Sequence, residues 1–276
     1  MREKSENIVD KIINSTAIEN IDPTDPLLKL IPGIVPEHIA RYRLAEKFTS
    51  RVGKNDLVVD LASGRGYGSN ILSSIFPEAQ VLGIEIKLNY AQKAAQKYEK
   101  NQSNNISFVQ GDVRQTPIAG DQVKLVTAFE IVEHLEKNSQ TNLIKEIERI
   151  LAPDGIAILS FPEPYSFIHS ETEEAKRGKI SNPHHLYEPK VSEILEIIDN
   201  TKLHVIEQLG QIIVPKDQFE SVLNFCQKIK IPLWSIYVWC VPKDFTVQKE
   251  PLSENQKFLT HILILEKNTP QELASS

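Results

Sequence analysis

Three ionisable side chains, Glu130, Glu133 and His134, fall close together in AFEIVEHL (residues 128–135), directly after the apolar run VKLVT. The apolar lead-in belongs to a strand bound for a core, and charge buried without a partner at its end is costly. Two carboxylates and an imidazole there can hold a divalent cation or move a proton. If a helical turn begins at Glu130, the spacing brings all three to one face. A second imidazole is on offer in NPHHLYEP (residues 182–189), which carries His184 and His185. The alternatives open at this point are a metal site, a metal-free general base at His134 or His185, and a purely structural role in which His134 caps a helix start and His185 sits in a loop.

A second constellation precedes it. VVDLASGRGYGSNIL (residues 58–72) puts Asp60 at a strand end before Gly64, Gly66 and Gly68 and then a helix. Glycine permits a tight turn and close approach of backbone to ligand, and the following helix offers unsatisfied N–H groups. A pyrophosphate does not suit the turn, because Asp60 would repel it; an ammonium or a hydroxyl fits better. Glu85 ends VLGIE, where an acid can accept from a ribose diol. Asp112 follows FVQG, where it can accept from the exocyclic amine of adenine. Acids at the ends of three successive strands face one crevice.

The elements that position these residues alternate along the chain. DLVVDLA, AQVLGIEI, NISFVQGDV, KLVTAFEIV, GIAILSFP, LHVIEQLG and KFLTHILILEK read as seven strands. YGSNILSSIF, NYAQKAAQKYEKN, QTNLIKEIERIL and KVSEILEIIDNT read as helices between them. Continuous apolar strands alternating with amphipathic helices predict an α/β fold, a Rossmann-like, mostly parallel sheet with helices on both faces. Residues 1–52 form an N-terminal helical arm or cover, and 53–270 the main domain. An insertion at about 211–255, holding Trp234, Tyr237 and Trp239, is expected to act as a lid over an acceptor site. Tyr42 and Arg43, on the last helix of the arm, are placed to cover the ligand. His38, on the helix that closes over the ligand, is expected at the surface, with a pocket role as the alternative; His169, His204 and His261 are expected to be structural or solvent-facing.

The chain has 276 residues, a net charge of −6 and a sequence pI near 5.7. That balance argues against general binding of DNA, RNA or anionic membrane. The two cysteines, Cys226 and Cys240, have no metal-ligand spacing, which suits a reduced, cytoplasmic setting. The start MREKSENIVDKIINS has no apolar signal core, and LWSIYVWCV is too short to span a bilayer. A homodimer would be unsurprising.

These motifs resemble class I S-adenosylmethionine-dependent methyltransferases from about His38 to Lys267. VVDLASGRGYG is similar to that family's first motif, with Ala62 where glycine is commoner. GIEI resembles its ribose-binding motif, QGDV its adenine-binding motif, and RILAPDGIAILSFP the turn and strand beyond the active site. The resemblance implies S-adenosyl-L-methionine as cofactor, lined by Asp60, Ala62, Gly64, Gly66, Tyr67, Glu85, Ile86, Asp112, Val113 and Glu130. HIARYRLAEKF, GRGYGS, FEIVEHL, NPHHLYEP and LGQ together resemble methyltransferases found beside glycosyltransferases in polysaccharide and glycoside pathways. EIVEH with the later HLYE is also similar to ubiquinone-biosynthesis O-methyltransferases and to RNA methyltransferases acting on a terminal 2′-hydroxyl. The RNA branch holds a divalent metal with such residues, which implies Glu130, Glu133, His134 and His185 as ligands and aligns His185 rather than His184. Mn, Fe or Zn suits that mixed set, and Mg is compatible with it. The implied activity is methyl transfer to a hydroxyl of a sugar or glycosylated small molecule. Alternatives are a phenolic or quinone precursor, a 3′-terminal RNA ribose, an amino-sugar or peptide nitrogen, a nicotinamide dehydrogenase and a non-catalytic nucleotide-binding module.

Overall fold

The computed structural model describes residues 34–99, 105–163, 185–215, 247–249 and 256–269. The first part of the arm, His169, His184, both cysteines, Trp234, Tyr237 and Trp239, and with them most of the expected lid, lie outside the described residues.

The strands are β1 (Leu57–Leu61), β2 (Gln80–Glu85), β3 (Ile106–Gln110), β4 (Val123–Phe129), β5 (Leu151–Pro162), β6 (Leu203–Pro215), β7 (Gln248–Lys249) and β8 (Gln256–Lys267). They form one sheet in the order β3-β2-β1-β4-β5-β8-β6-β7. The first five run parallel, and β8 is antiparallel to both β5 and β6. All seven expected strands are present in this Rossmann-like sheet. The additional strand, β7, pairs with only Leu209 and Gly210 at the edge of β6. Two residues are too few to show an alternation in the sequence. β6 also runs past Gly210 to Pro215, so the interruption starts later than residue 211. Pairing with β8 carries the strand past Gly210, where Phe258 leaves no room for a side chain: a Cβ would come within 2.0 Å of the ring.

The helices are α1 (Ile34–Arg43), α2 (Tyr67–Ile75), α3 (Leu88–Tyr98), α4 (Lys137–Ile150) and α5 (Val191–Asp199). The helix expected over 37–52 tightens after Arg43 into a 3-10 turn, Leu44–Phe48. The connections between the parallel strands place helices on both faces. On one face Tyr42, Leu44, Ala45, Phe48 and Leu72 pack on Val58, Leu125, Ile158 and Ile264. On the other, Leu143, Ile144, Ile147 and Ile150 of α4 and Ile194 and Ile198 of α5 pack on Val59, Val126, Ala157 and Leu265. The apolar stripe of α4 is what buries it, at roughly 1.5–3 kcal/mol for each large side chain fully removed from water.

Candidate active site

The ends of β1, β2 and β4 build the site. After Leu61 the chain reverses through Ala62, Gly64 and Gly66, all with positive φ (58°, 55° and 80°), and Gly66 starts α2. Ala62 holds a left-handed conformation that is native to glycine and costs a residue with a Cβ roughly 1–2 kcal/mol. Glu85 pins this turn: its carboxylate accepts the N–H of Gly64 at 3.0 Å and of Lys87 at 2.9 Å. A carboxylate has about four acceptor sites, so these two bonds leave capacity for a diol. Beside it Ile86 is 56% exposed, an apolar face at the crevice edge suited to a flat base.

Asp60 lies behind the turn. It is fully buried and accepts hydroxyl bonds from Tyr42 (3.1 Å), Ser69 (2.7 Å) and Thr127 (2.9 Å). Burial raises its pKa to about 6, against the pull of those hydroxyls. The acid therefore ties α1, α2 and β4 to β1, and any ammonium would compete with three hydroxyl donors. Tyr67 opens α2, accepts or donates a bond with His38 Nδ1 at 3.1 Å, and meets Tyr42 edge-on. His38 is thus partly covered and engaged rather than a surface residue, and burial, then Arg41, holds its pKa well below the ordinary value. Arg43 is exposed and pairs with Glu46 at 3.0 Å. Its neighbour Arg41 is the inward-facing residue. At β3, Asp112 is clasped by the Arg114 side chain at 2.6–3.1 Å, whose hydrogen bonds lower its pKa, while Val113 is buried in the core.

β4 ends at Phe129, three residues earlier than the apolar run suggests, because Glu130 turns to φ 49°. A 3-10 turn, Val132–His134, follows. The segment at 185–190 docks on it: Leu186 and Tyr187 donate N–H bonds to the carbonyl of Glu133 at 2.8 and 3.2 Å. The buried amide of Gln140 on α4 bridges the carbonyls of Val132 (2.9 Å) and Tyr187 (2.8 Å). These bonds bring His185 to His134, their rings edge-to-face with centroids 5.0 Å apart. Glu133, His134 and His185 each offer a ligand atom, all within 4.8 Å of one another. Glu133 is 1% exposed, and its Oε2 has no hydrogen-bond partner among the described residues. Burial, then the charge of Glu130, keeps its pKa well above the ordinary carboxyl value. An orphaned buried oxygen beside two imidazoles is a donor set that fits a divalent cation.

Glu130, the fourth expected ligand, lies outside that group of three. Its carboxylate is held by Arg41 Nη1 at 2.5 Å and by Ser160 Oγ at 2.8 Å. The reason is local geometry: the positive φ takes it off the turn that Glu133 and His134 share. Glu188, unforeseen from sequence, sits 2.6 Å from His185 Nδ1, the usual placement of a carboxylate that orients a ligating imidazole. His261 pairs with Glu163 at 2.5 Å, and His204 lies 3.9 Å from Glu266.

Comparison with known proteins agrees with this geometry. Residues 58–155 match the family described as "Methyltransferase domain". A probable S-adenosylmethionine-dependent methyltransferase of Mycolicibacterium smegmatis is 23% identical over 185 residues, covering 66% of each chain. Demethylmenaquinone methyltransferase of Chlamydia caviae is 29% identical over 119 residues, 43% of this chain and 50% of that one. The chain thus spans about half to two thirds of the length of these two relatives. Among solved structures, a Pyrococcus horikoshii protein superposes with a TM-score of 0.59 at 14% identity, covering 92% of this chain and 97% of that one. Geranyl diphosphate C-methyltransferase of Streptomyces coelicolor, solved with Mg2+ and S-adenosyl-L-homocysteine, gives 0.58 at 14% identity, covering 92% and 85%. The glycine turn and the Glu85 cradle lie within the family match, and across residues 58–155 the chain carries a methyltransferase domain.

Proposed function

We propose that this protein transfers the methyl group of S-adenosylmethionine to a hydroxyl oxygen of a small sugar or glycosylated acceptor, with a divalent cation held by Glu133, His134 and His185. The observation that carries the reading is the convergence of those three donors around a buried carboxylate oxygen that has no partner among the described residues. When bound, S-adenosylmethionine supplies an electrophilic sulfonium methyl, and the cation supplies acidity to an adjacent hydroxyl. The chain's own work is positional. Gly64 and Gly66 let the backbone approach the cofactor, and Glu85 accepts from its ribose. Ile86 and Asp112 border the base. Glu133, His134 and His185 hold two neighbouring acceptor oxygens in line with the methyl, and orientation of this kind supplies much of such a barrier reduction. In the metal-free form of the same reading, His134 or His185 takes the hydroxyl proton.

The test is transfer of labelled methyl from S-adenosylmethionine to panels of glycosides, catechols and RNA 3′ ends, with and without EDTA, alongside metal analysis of the purified protein. His134→Ala is expected to abolish transfer and largely spare S-adenosylhomocysteine affinity. Full activity in EDTA with no bound metal removes the cation from the mechanism, and normal turnover in His134→Ala removes the whole reading. A phenolic or quinone-precursor acceptor is the second reading, favoured by the quinone-pathway methyltransferases among the relatives. The catechol arm distinguishes it. Binding of S-adenosylmethionine with no turnover on any panel would point instead to a non-catalytic nucleotide-binding module. No described helix is long and apolar enough to cross a membrane, and a cytoplasmic enzyme, as a monomer or homodimer, is part of this proposal.

A further inference from the structure

We infer that Arg41, on the N-terminal helix, is a positioning residue for the Glu133–His134 donor pair and acts through Glu130; the inference rests on the donor site proposed above. Glu130 is the residue at which β4 stops and the chain bends, and it does so at φ 49°, a left-handed conformation uncommon for a side chain of its length. Such a bend persists when its surroundings over-determine it. Here they do. The Glu130 N–H donates to the carbonyl of Ser160 at 3.2 Å and to its Oγ at 3.3 Å, and the carboxylate accepts from Ser160 Oγ at 2.8 Å. Arg41 Nη1 closes the cage at 2.5 Å and also reaches Ser160 Oγ at 3.3 Å.

Arg41 is itself fixed. It is 1% exposed, its Nη2 pairs with Glu37 one helical turn earlier at 2.8 Å, and the carbonyl of Glu37 accepts from Gln211 of β6 at 3.2 Å. One guanidinium thus joins α1 to β4 and β5, with β6 bracing α1 behind it. A buried, forked cation suits this task better than an ammonium, because it serves two carboxylates with separate nitrogens. The chain leaves the Glu130 bend directly into the turn bearing Glu133 and His134. The direction in which those donors emerge, and so their meeting with His185, depends on the bend. Neither Arg41 nor Glu130 needs to touch the acceptor to do this.

The test uses the full chain with Arg41→Met, Glu130→Gly and, as a surface control, Arg43→Met. Glycine tolerates the positive φ, so Glu130→Gly removes the carboxylate without adding strain. It stands in if Arg41→Met, which leaves buried carboxylates unpaired, does not fold. The primary readout is the nuclear Overhauser contact between the His134 and His185 rings in metal-free protein, with folding checked by melting temperature and far-ultraviolet circular dichroism. The contact is expected in wild type and Arg43→Met, and lost in folded Arg41→Met and Glu130→Gly. Mn2+ affinity should fall on the order of tenfold or more in the same two variants. If wild type shows no Mn2+ binding, the cation of the proposed function is lost while the ring contact still tests Arg41. A folded variant that keeps the ring contact overturns the inference.

Discussion

Two buried acids turn the site's electrostatics into a pH dependence. Burial lifts Glu37 to about 7 against the pull of Arg41, and lifts Asp60 to about 6 against its hydroxyl donors. A raised carboxyl pKa means that the folded chain keeps a proton which the unfolded chain, titrating near 4, has already released. The native state then binds more protons across that window, so stability falls as pH rises from about 4 to about 7. Glu37→Gln mimics the protonated acid. Its melting temperature should match wild type near pH 4.5 and exceed it by pH 8, and a difference that does not change with pH would contradict the assignment. Glu85 works by acceptance: in Glu85→Ala the N–H groups of Gly64 and Lys87 lose their partner. Loss of that acceptor costs about 1–3 kcal/mol where the donors are buried. S-adenosylhomocysteine affinity, read by titration calorimetry, should drop tenfold or more.

Between elements, the tightest contact is that of α1 with α2. A Cβ on Gly68 would lie 1.9 Å from Cζ of Tyr42, and Tyr42 is wedged edge-on against Phe129 at 4.8 Å while bonding Asp60. Gly68→Ala must displace that ring and is expected to destabilise the fold by about 1–3 kcal/mol, the usual cost of overpacking. Urea midpoints measure it. In a Tyr42→Ala background the same substitution should cost little, since the ring it strikes is gone. Equal costs in both backgrounds would show that the two helices do not meet here. The contact also explains the third glycine of the turn, which serves helix packing, whereas Gly64 and Gly66 serve the backbone bend.

For the whole molecule, the sheet order decides what is neighbour to what. β4 lies between β1 and β5, so the donors beyond β4 stand beside the glycine turn beyond β1. A ligand that binds only the native crevice raises stability by about 2.7 kcal/mol at a hundred times its dissociation constant. S-adenosylhomocysteine should therefore raise the melting temperature by several degrees, and NAD should not. The opposite result would favour the dehydrogenase that the same fold class can house.

Much of this architecture was legible in the one-dimensional pattern. The period-2 and continuous apolar runs marked seven strands, the stripes of α2 to α5 marked the helices, and the glycines and Glu85 marked the cofactor edge, because local propensity and burial act over a few residues. Glu133, His134 and His185 were legible as types able to bind one ion. That they meet, and that Glu130 does not join them, was decided by tertiary contacts. The φ of Glu130, the Gln140 bridge to residues 132 and 187, and the pairing of Arg41 with a carboxylate far along the chain all depend on side chains brought together from separate elements. Arg41 was recoverable only in part: its i,i+4 relation to Glu37 is written in the sequence, but helical phase alone does not say which arginine of ARYR faces inward. The partners of Asp60 were hidden for the same reason, since the hydroxyls of Tyr42, Ser69 and Thr127 reach it from three other elements.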